Sequence, residues 1–335
     1  MKTNEMKTYA DAGVNIEKDG EAVASIVDLL KSTFSNRLGK PGQVRDTGTH
    51  FANLFEVGDN LFAMSTDGVG SKILIAEKLG KFNTVGIDMV AMVVNDLICL
   101  GAEPLVLVDY LAVEKMEPQT VLEIMKGVKT GADEAGMAVI GGETATLPDM
   151  IKGEGSGFDL AGTGIGIVKN LITGENIRPG DAIVGIPSTG LHSNGYTLAR
   201  KVLDLNDKKT LETLLTPTKI YVKPTLQLIE KTEVHGLSNI TGGGLLNLPR
   251  LRPELGFDIT DPLKPHPIFG QISSTGIDEP EMYRTFNMGM GFSIILPEDN
   301  YPEAKKLFPD SKIIGTVSNT TGLRLREKTI EGKKV

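Results

Sequence analysis

The sequence predicts an α+β protein made of two α/β-type domains, the first with a mixed sheet and the second with a sheet flanked by helices. Three observations lead there. The chain has 335 residues, and at roughly 100 to 200 residues per domain that length suits two. Strand, polar-loop and helix patterns alternate along it, as a layered α/β or α+β unit requires. After a strand at Gly164 to Val168, the turn Arg178-Pro179-Gly180-Asp181 opens a second unit of the same style. The domains are therefore expected at residues 1–169 and 170–335.

The elements follow in order. Val23, Ile26, Val27 and Leu30 recur at helical spacing and predict a helix from about Gly20 to Ser32. Ser35 to Thr49 is mostly small, charged or turn-forming and reads as a loop. Phe51 to Val57 and Leu61 to Ser65 read as strands joined by the turn Gly58-Asp59-Asn60, a hairpin that delivers the loop Thr66 to Lys72. Met89 to Leu100 is an apolar helix with Asp88 as its expected N-cap and Gly101 as its stop. Leu105 to Val113 is a strand. Pro118 opens a helix with Val121, Ile124, Val128 and Ala132 on one face and Gly136 at its end. Met137 to Ile140 is a short strand feeding a loop at Gly141-Gly142-Glu143-Thr144. In the second half Ala182 to Ile186 is a strand, Pro187 to Gly195 a loop and Tyr196 to Leu205 a helix, with later strands at Gly289 to Leu296 and Lys312 to Val317.

Composition narrows the function. Lys and Arg number 35 against 43 Asp and Glu, a net charge of -8, and no basic patch exceeds the tail pair Lys333-Lys334, so a nucleic-acid partner is not expected. Aromatics are 5% and Trp is absent, which leaves no stacking platform for single strands. Cys99 is the only cysteine, so no disulfide forms within the chain and a reducing cytoplasm fits. Met1 to Ala10 lacks a secretory apolar core, and no apolar run reaches the roughly 18 to 20 residues that span a bilayer, so no membrane partner is expected.

Four stretches carry chemistry. In Thr66-Asp67-Gly68-Val69-Gly70-Ser71-Lys72 the glycines would let backbone approach phosphate, Lys72 would neutralise it and Asp67 would hold magnesium; a glycine turn with solvated charges fits the same letters. Asn95 and Asp96 lie inside the apolar helix, with Asn95 near the face of Asp88 and Asp96 on the next stripe. A buried carboxylate there calls for a cation, a hydrogen bond or a base; an exposed helix edge is the alternative. Gly141-Gly142-Glu143-Thr144 and Gly242-Gly243-Gly244 have the composition of phosphate cradles or of tight turns, and Glu143 would add a carboxylate to a magnesium site. His192-Ser193-Asn194-Gly195 precedes a helix, where His192 would move a proton or meet phosphate, or where Ser193 or Asn194 would only cap. His50, His235 and His266 have no metal-ligand spacing with one another and read as structural or surface residues.

Taken together and in order, these motifs resemble the phosphoribosylformylglycinamidine cyclo-ligase (aminoimidazole ribonucleotide synthetase) family of purine biosynthesis. The resemblance covers nearly the whole chain. It runs from Tyr9-Ala10-Asp11-Ala12-Gly13-Val14 through Thr66 to Lys72, Gly86-Ile87-Asp88, and Asp96 with Gly101, Ala102 and Pro104. It continues through Gly141 to Ala145, Leu191 to Gly195, Pro217 to Lys223, Thr241 to Gly244 and Phe286 to Gly289. It implies an ATP-dependent, magnesium-assisted cyclisation of formylglycinamidine ribonucleotide to aminoimidazole ribonucleotide, with ADP and phosphate as co-products.

By the same resemblance Asp67, Gly68, Gly70, Lys72, Asp88, Asn95, Asp96, Gly141, Gly142, Glu143 and Thr144 surround ATP, with Asp67, Asp96 and Glu143 on the metal. His192, Ser193, Asn194 and Gly242 to Gly244 take the substrate, and His192 and Lys72 are the catalytic candidates. The resemblance also implies a homodimer joined through N-terminal strands. Members of the family commonly carry a Gly-Gly-Phe-Gly loop before the first strands, whereas this chain reads Leu38-Gly39-Lys40-Pro41-Gly42 and then His50-Phe51-Ala52-Asn53. Selenophosphate synthetases, thiamine-phosphate kinases and hydrogenase maturation factors share such a site, and a nucleotide-binding protein without turnover is the non-enzyme alternative.

Overall fold

A computed structural model describes residues 25–48, 50–153, 157–326 and 328–330. The motif Tyr9 to Val14 and the start of the first expected helix lie outside those residues. Helix α1 occupies 25–31 and continues as a 3-10 turn, Ser32–Arg37, so the expected loop after it is partly helical. A short strand, β1 (Gln43–Arg45), also interrupts that loop.

The first sheet has the order β1-β2-β3-β6-β4-β5, with β2 (Asn53–Val57), β3 (Asn60–Gly68), β4 (Ala102–Val113), β5 (Ala138–Thr146) and β6 (Phe158–Val168). All its pairs are antiparallel except β4 with β5, so the sheet is mixed as expected. The parallel pair is joined by helix α4 (Pro118–Ala135), since parallel neighbours need a crossover. Pro118 at its start and Gly136 in the left-handed conformation at its end match the sequence reading.

Helix α2 (Ile73–Leu79) is followed by α3 (Val85–Ile98), which lies on the inner face of this sheet. The helix sits close because β6 presents Gly162 and Gly164 beneath it. A Cβ on Gly164 would come 2.6 Å from Val93, and one on Gly162 would strike Met89. Asp88 is not the N-cap. The helix begins at Val85 after Thr84, which leaves Asp88 fully buried in the first turn.

The second sheet has the order β13-β12-β9-β11-β7-β10-β8, with β7 (Ala182–Pro187), β8 (Gly236–Asn239), β9 (Gly256–Ile259), β10 (Met290–Leu296), β11 (Lys312–Ser318), β12 (Gly322–Leu325) and β13 (Lys328–Ile330). It too is mixed, because β12 runs parallel to β9. Helices α5 (Tyr196–Val202), α6 (Lys208–Leu214) and α7 (Val222–Lys231) and further seven-residue helices flank it. The α+β class is therefore correct. Among the described residues no helix is long and apolar enough to cross a membrane.

Candidate active site

The residues singled out in the sequence meet where α3 and the end of β3 face the second sheet, and they fall into two groups. The first is a buried strut. Lys72, in a 3-10 turn just before α2, is fully buried, and its Nζ donates to Asp88 Oδ1 (2.8 Å), the His192 carbonyl (3.0 Å) and the Thr216 carbonyl (2.6 Å). An ammonium has three protons, and all three are used. Burial pulls the Lys72 pKa down while Asp88 holds it up. The same Asp88 oxygen accepts from the backbone N–H and the hydroxyl of Thr218, at 2.7 and 2.6 Å. Two turns on, Asn95 accepts from the Tyr221 N–H (3.0 Å) and donates to the Lys219 carbonyl (2.9 Å). One face of α3 is thereby bolted to residues 216–221.

Lys72 and Asn95 thus find their partners within the protein, as Asp88 does at Oδ1, while Asp88 Oδ2 is buried with no hydrogen-bond partner among the described residues. His192 belongs to this strut. It is buried with φ 65°, its Nε2 accepts from the Thr189 N–H at 3.2 Å, and its ring lies near Tyr221. Burial, with the Lys72 charge, lowers its pKa to about 3. A neutral, sealed imidazole is a poor proton carrier, so the catalytic expectation for His192 and Lys72 is not supported.

The second group is less enclosed. Asp67, next to last in β3, accepts from the Gly68 N–H at 2.7 Å; Asp96, on α3, accepts from Asn239 Nδ2 at 2.8 Å. Burial pushes the Asp96 carboxyl up to about 7, opposed by the Asn239 bond and reinforced by the neighbouring Asp67 charge. Asp67 is raised by burial as well. Two desolvated acids close enough to feel each other are stabilised as anions by a cation placed between them. Asn239 and Arg250, which acts electrostatically on Asp96, had no local signal in the sequence.

Glu143 does not join them. Cross-strand register aligns Asp67, Gly162, Asp109 and Gly142 in one row, and Gly68, Ala161, Tyr110 and Glu143 in the next. Adjacent rows point to opposite faces, so Glu143 shares the outer face with Tyr110. Among the described residues no cluster of three metal-capable side chains occurs. Gly141, Gly142, Glu143 and Thr144 form part of β5, not a loop. Asp109, which the sequence reading passed over, shares the Asp67 row and is raised by burial.

Gly68 ends β3 and Gly70 opens the 3-10 turn with φ 68°, so the predicted loop is a strand end and a turn. The substrate-side candidates do come together. Ser193 Oγ lies 3.1 Å from Thr218 Oγ1, and a Cβ on Gly242 would fall 3.1 Å from Asn194 Oδ1. Asn194 Nδ2 is buried with no hydrogen-bond partner among the described residues. Gly243 and Gly244 take φ 91° and 54°, the left-handed region this turn needs.

Residues 50–168 match the family AIR synthase related protein, N-terminal domain, and residues 178–328 match its C-terminal domain. The phosphoribosylformylglycinamidine cyclo-ligase of Thermococcus gammatolerans is 48% identical over 97% of this chain and 100% of that protein. The chain belongs to the phosphoribosylformylglycinamidine cyclo-ligase family. The cyclo-ligase of Pyrococcus furiosus is also 48% identical, over 95% of this chain and 97% of its own length. Solved structures share the fold at lower identity. Thiamine monophosphate kinase from Aquifex aeolicus has a TM-score of 0.65 at 17% identity, covering 95% of this chain and 100% of that one. The E. coli hydrogenase maturation protein HypE has a TM-score of 0.61 at 20% identity, covering 79% and 81%.

Proposed function

We propose that the chain is the ATP-dependent ligase that closes the imidazole ring of aminoimidazole ribonucleotide from formylglycinamidine ribonucleotide. ATP phosphorylates the formamide oxygen, an amidine nitrogen attacks the activated carbon, and phosphate leaves with that oxygen. The observation that carries the site assignment is the Asp67 and Asp96 pair, both desolvated, with the Asp67 charge acting on Asp96 and Asn239 donating to Asp96. These two carboxylates fit magnesium, which would offset the charge of the ATP phosphates. Gly68 and Gly70 allow phosphate to approach the backbone beside them. Ser193, Asn194 and the Gly242 turn take the ribonucleotide, with the orphaned Asn194 Nδ2 as a donor awaiting an acceptor.

The strut of Lys72, Asp88, Asn95 and His192 holds the two halves of this site in register. The domains in this reading are 1–169, for ATP and dimer contacts, and 170–335, for substrate. The homodimer is supported by the exposed outer face of the first sheet, where Val108 and Tyr110 of β4 stand two residues apart. A reducing cytoplasm suits the single, buried Cys99. The purified protein should release ADP and aminoimidazole ribonucleotide one for one when given magnesium, ATP and formylglycinamidine ribonucleotide. ADP release that ignores the ribonucleotide would contradict the reading.

A further inference from the structure

His50 is the buried titratable group that the account above leaves without a task. It stands between β1 and β2, and neither ring nitrogen has a hydrogen-bond partner among the described residues. An imidazole normally satisfies at least one nitrogen when it is removed from water, so a pair of orphaned nitrogens marks a place for a ligand.

The surroundings place that ligand at the site already described. The ring of His50 lies edge-on to Phe51, with centroids 5.5 Å apart. The Arg250 guanidinium stands 4.6 Å from the centre of the Phe51 ring, and Nη2 donates to the His50 carbonyl at 3.5 Å. Arg250 Nη1 also donates to Asn247 Oδ1 at 2.9 Å, and Asn247 Nδ2 donates to the carbonyls of Gly242 (3.1 Å) and Gly244 (2.9 Å). The main chain of His50 is therefore tied through Arg250 and Asn247 to the glycine turn on the substrate side, while the charge of Arg250 acts on both the His50 ring and Asp96.

We propose that His50 contacts the amide and amidine end of the ribonucleotide, donating from one ring nitrogen and accepting at the other. This inference rests on the cyclo-ligase reading. Burial, with the nearby Arg250 charge, lowers the His50 pKa to about 4. At neutral pH the ring then offers one N–H and one lone pair. That pairing suits a ligand with its own donor and acceptor, as a formamide or amidine has, better than a phosphate, which only accepts.

The experiment is a steady-state comparison of the full-length protein with His50→Ala and His50→Gln, with magnesium-ADP binding measured on each by calorimetry. Loss of a desolvated hydrogen bond predicts that His50→Ala raises KM for formylglycinamidine ribonucleotide by about tenfold or more while ADP affinity stays within about twofold. His50→Gln, which keeps a donor and an acceptor, should recover most of the loss. Equal loss of ribonucleotide and ADP binding, or an unchanged ribonucleotide KM in His50→Ala, would overturn the assignment. If His50→Ala is unstable, a folded His50→Gln with unaltered kinetics and a folded His50→Leu that performs equally well would overturn it too. Absence of conversion by the wild-type protein would instead sink the cyclo-ligase reading, and this inference with it.

Discussion

Lys72 Nζ lies 2.8 Å from Asp88 Oδ1 with both side chains fully buried, and the same ammonium donates across to His192 and Thr216 in the second half of the chain. The lysine of the glycine motif is thus the pin of a joint between the halves. Truncating one partner of a buried pair strands the other charge, so Lys72→Met should cost about 3 to 5 kcal/mol of stability. Urea unfolding measures this. Unaltered stability with nucleotide binding abolished would return Lys72 to the phosphates.

Asp96→Asn should behave in the opposite way. Its side chain can still accept from Asn239, and the substitution removes a carboxylate that burial already disfavours as an anion. Thermal melting should show a fold at least as stable as wild type, while magnesium-dependent turnover falls by about a hundredfold or more, the scale of losing a main electrostatic group. Full activity in this variant would remove Asp96 from the metal.

Acid should weaken the protein through its buried histidines. Burial lowers His192 to about 3 and His50 to about 4, against 6.5 for an ordinary histidine. The unfolded chain therefore takes up protons first as pH falls, and protonation favours unfolding. Stability from these groups is complete above pH 6.5 and is lost as pH drops through 4 toward 3. Urea midpoints measured between pH 7 and pH 4 should decline, less steeply in His192→Gln; equal slopes in the two proteins would contradict the assignment.

Most of the architecture was legible because periodicity and turn chemistry agree with it. The hairpin across Gly58 to Asn60 and the helix from Pro118 to Gly136 stand where the sequence puts them. Asp67 and Asp96 stand out in the sequence as acids at a strand end and on an apolar helix, and the structure desolvates both. Local reading failed where partners come from far away. Lys72 looks like a phosphate ligand until Thr216 and His192 close around it, at separations of 144 and 120 residues. Asp88 looks like a helix cap until Thr218 reaches it. Glu143 fails for another reason: a composition of glycines suggests a loop, but β4 recruits those residues as a strand and the register turns Glu143 outward.

That outward face should make the dimer. Tyr110 and Val108 are 44% and 41% exposed, large side chains two residues apart on the outer face of β4. Sedimentation should find the wild-type protein as a dimer, and the double variant Tyr110→Glu with Val108→Asp as a folded monomer. A double variant that still sediments as a dimer would place the interface elsewhere.

Ring closure turns on ATP activating the formamide oxygen. The most direct measurement supplies formylglycinamidine ribonucleotide with 18O in the formyl group, magnesium and ATP, and weighs the phosphate released as aminoimidazole ribonucleotide forms. One 18O in each phosphate is the predicted result, because the oxygen leaves bonded to phosphorus. Unlabelled phosphate alongside the ribonucleotide product would contradict it.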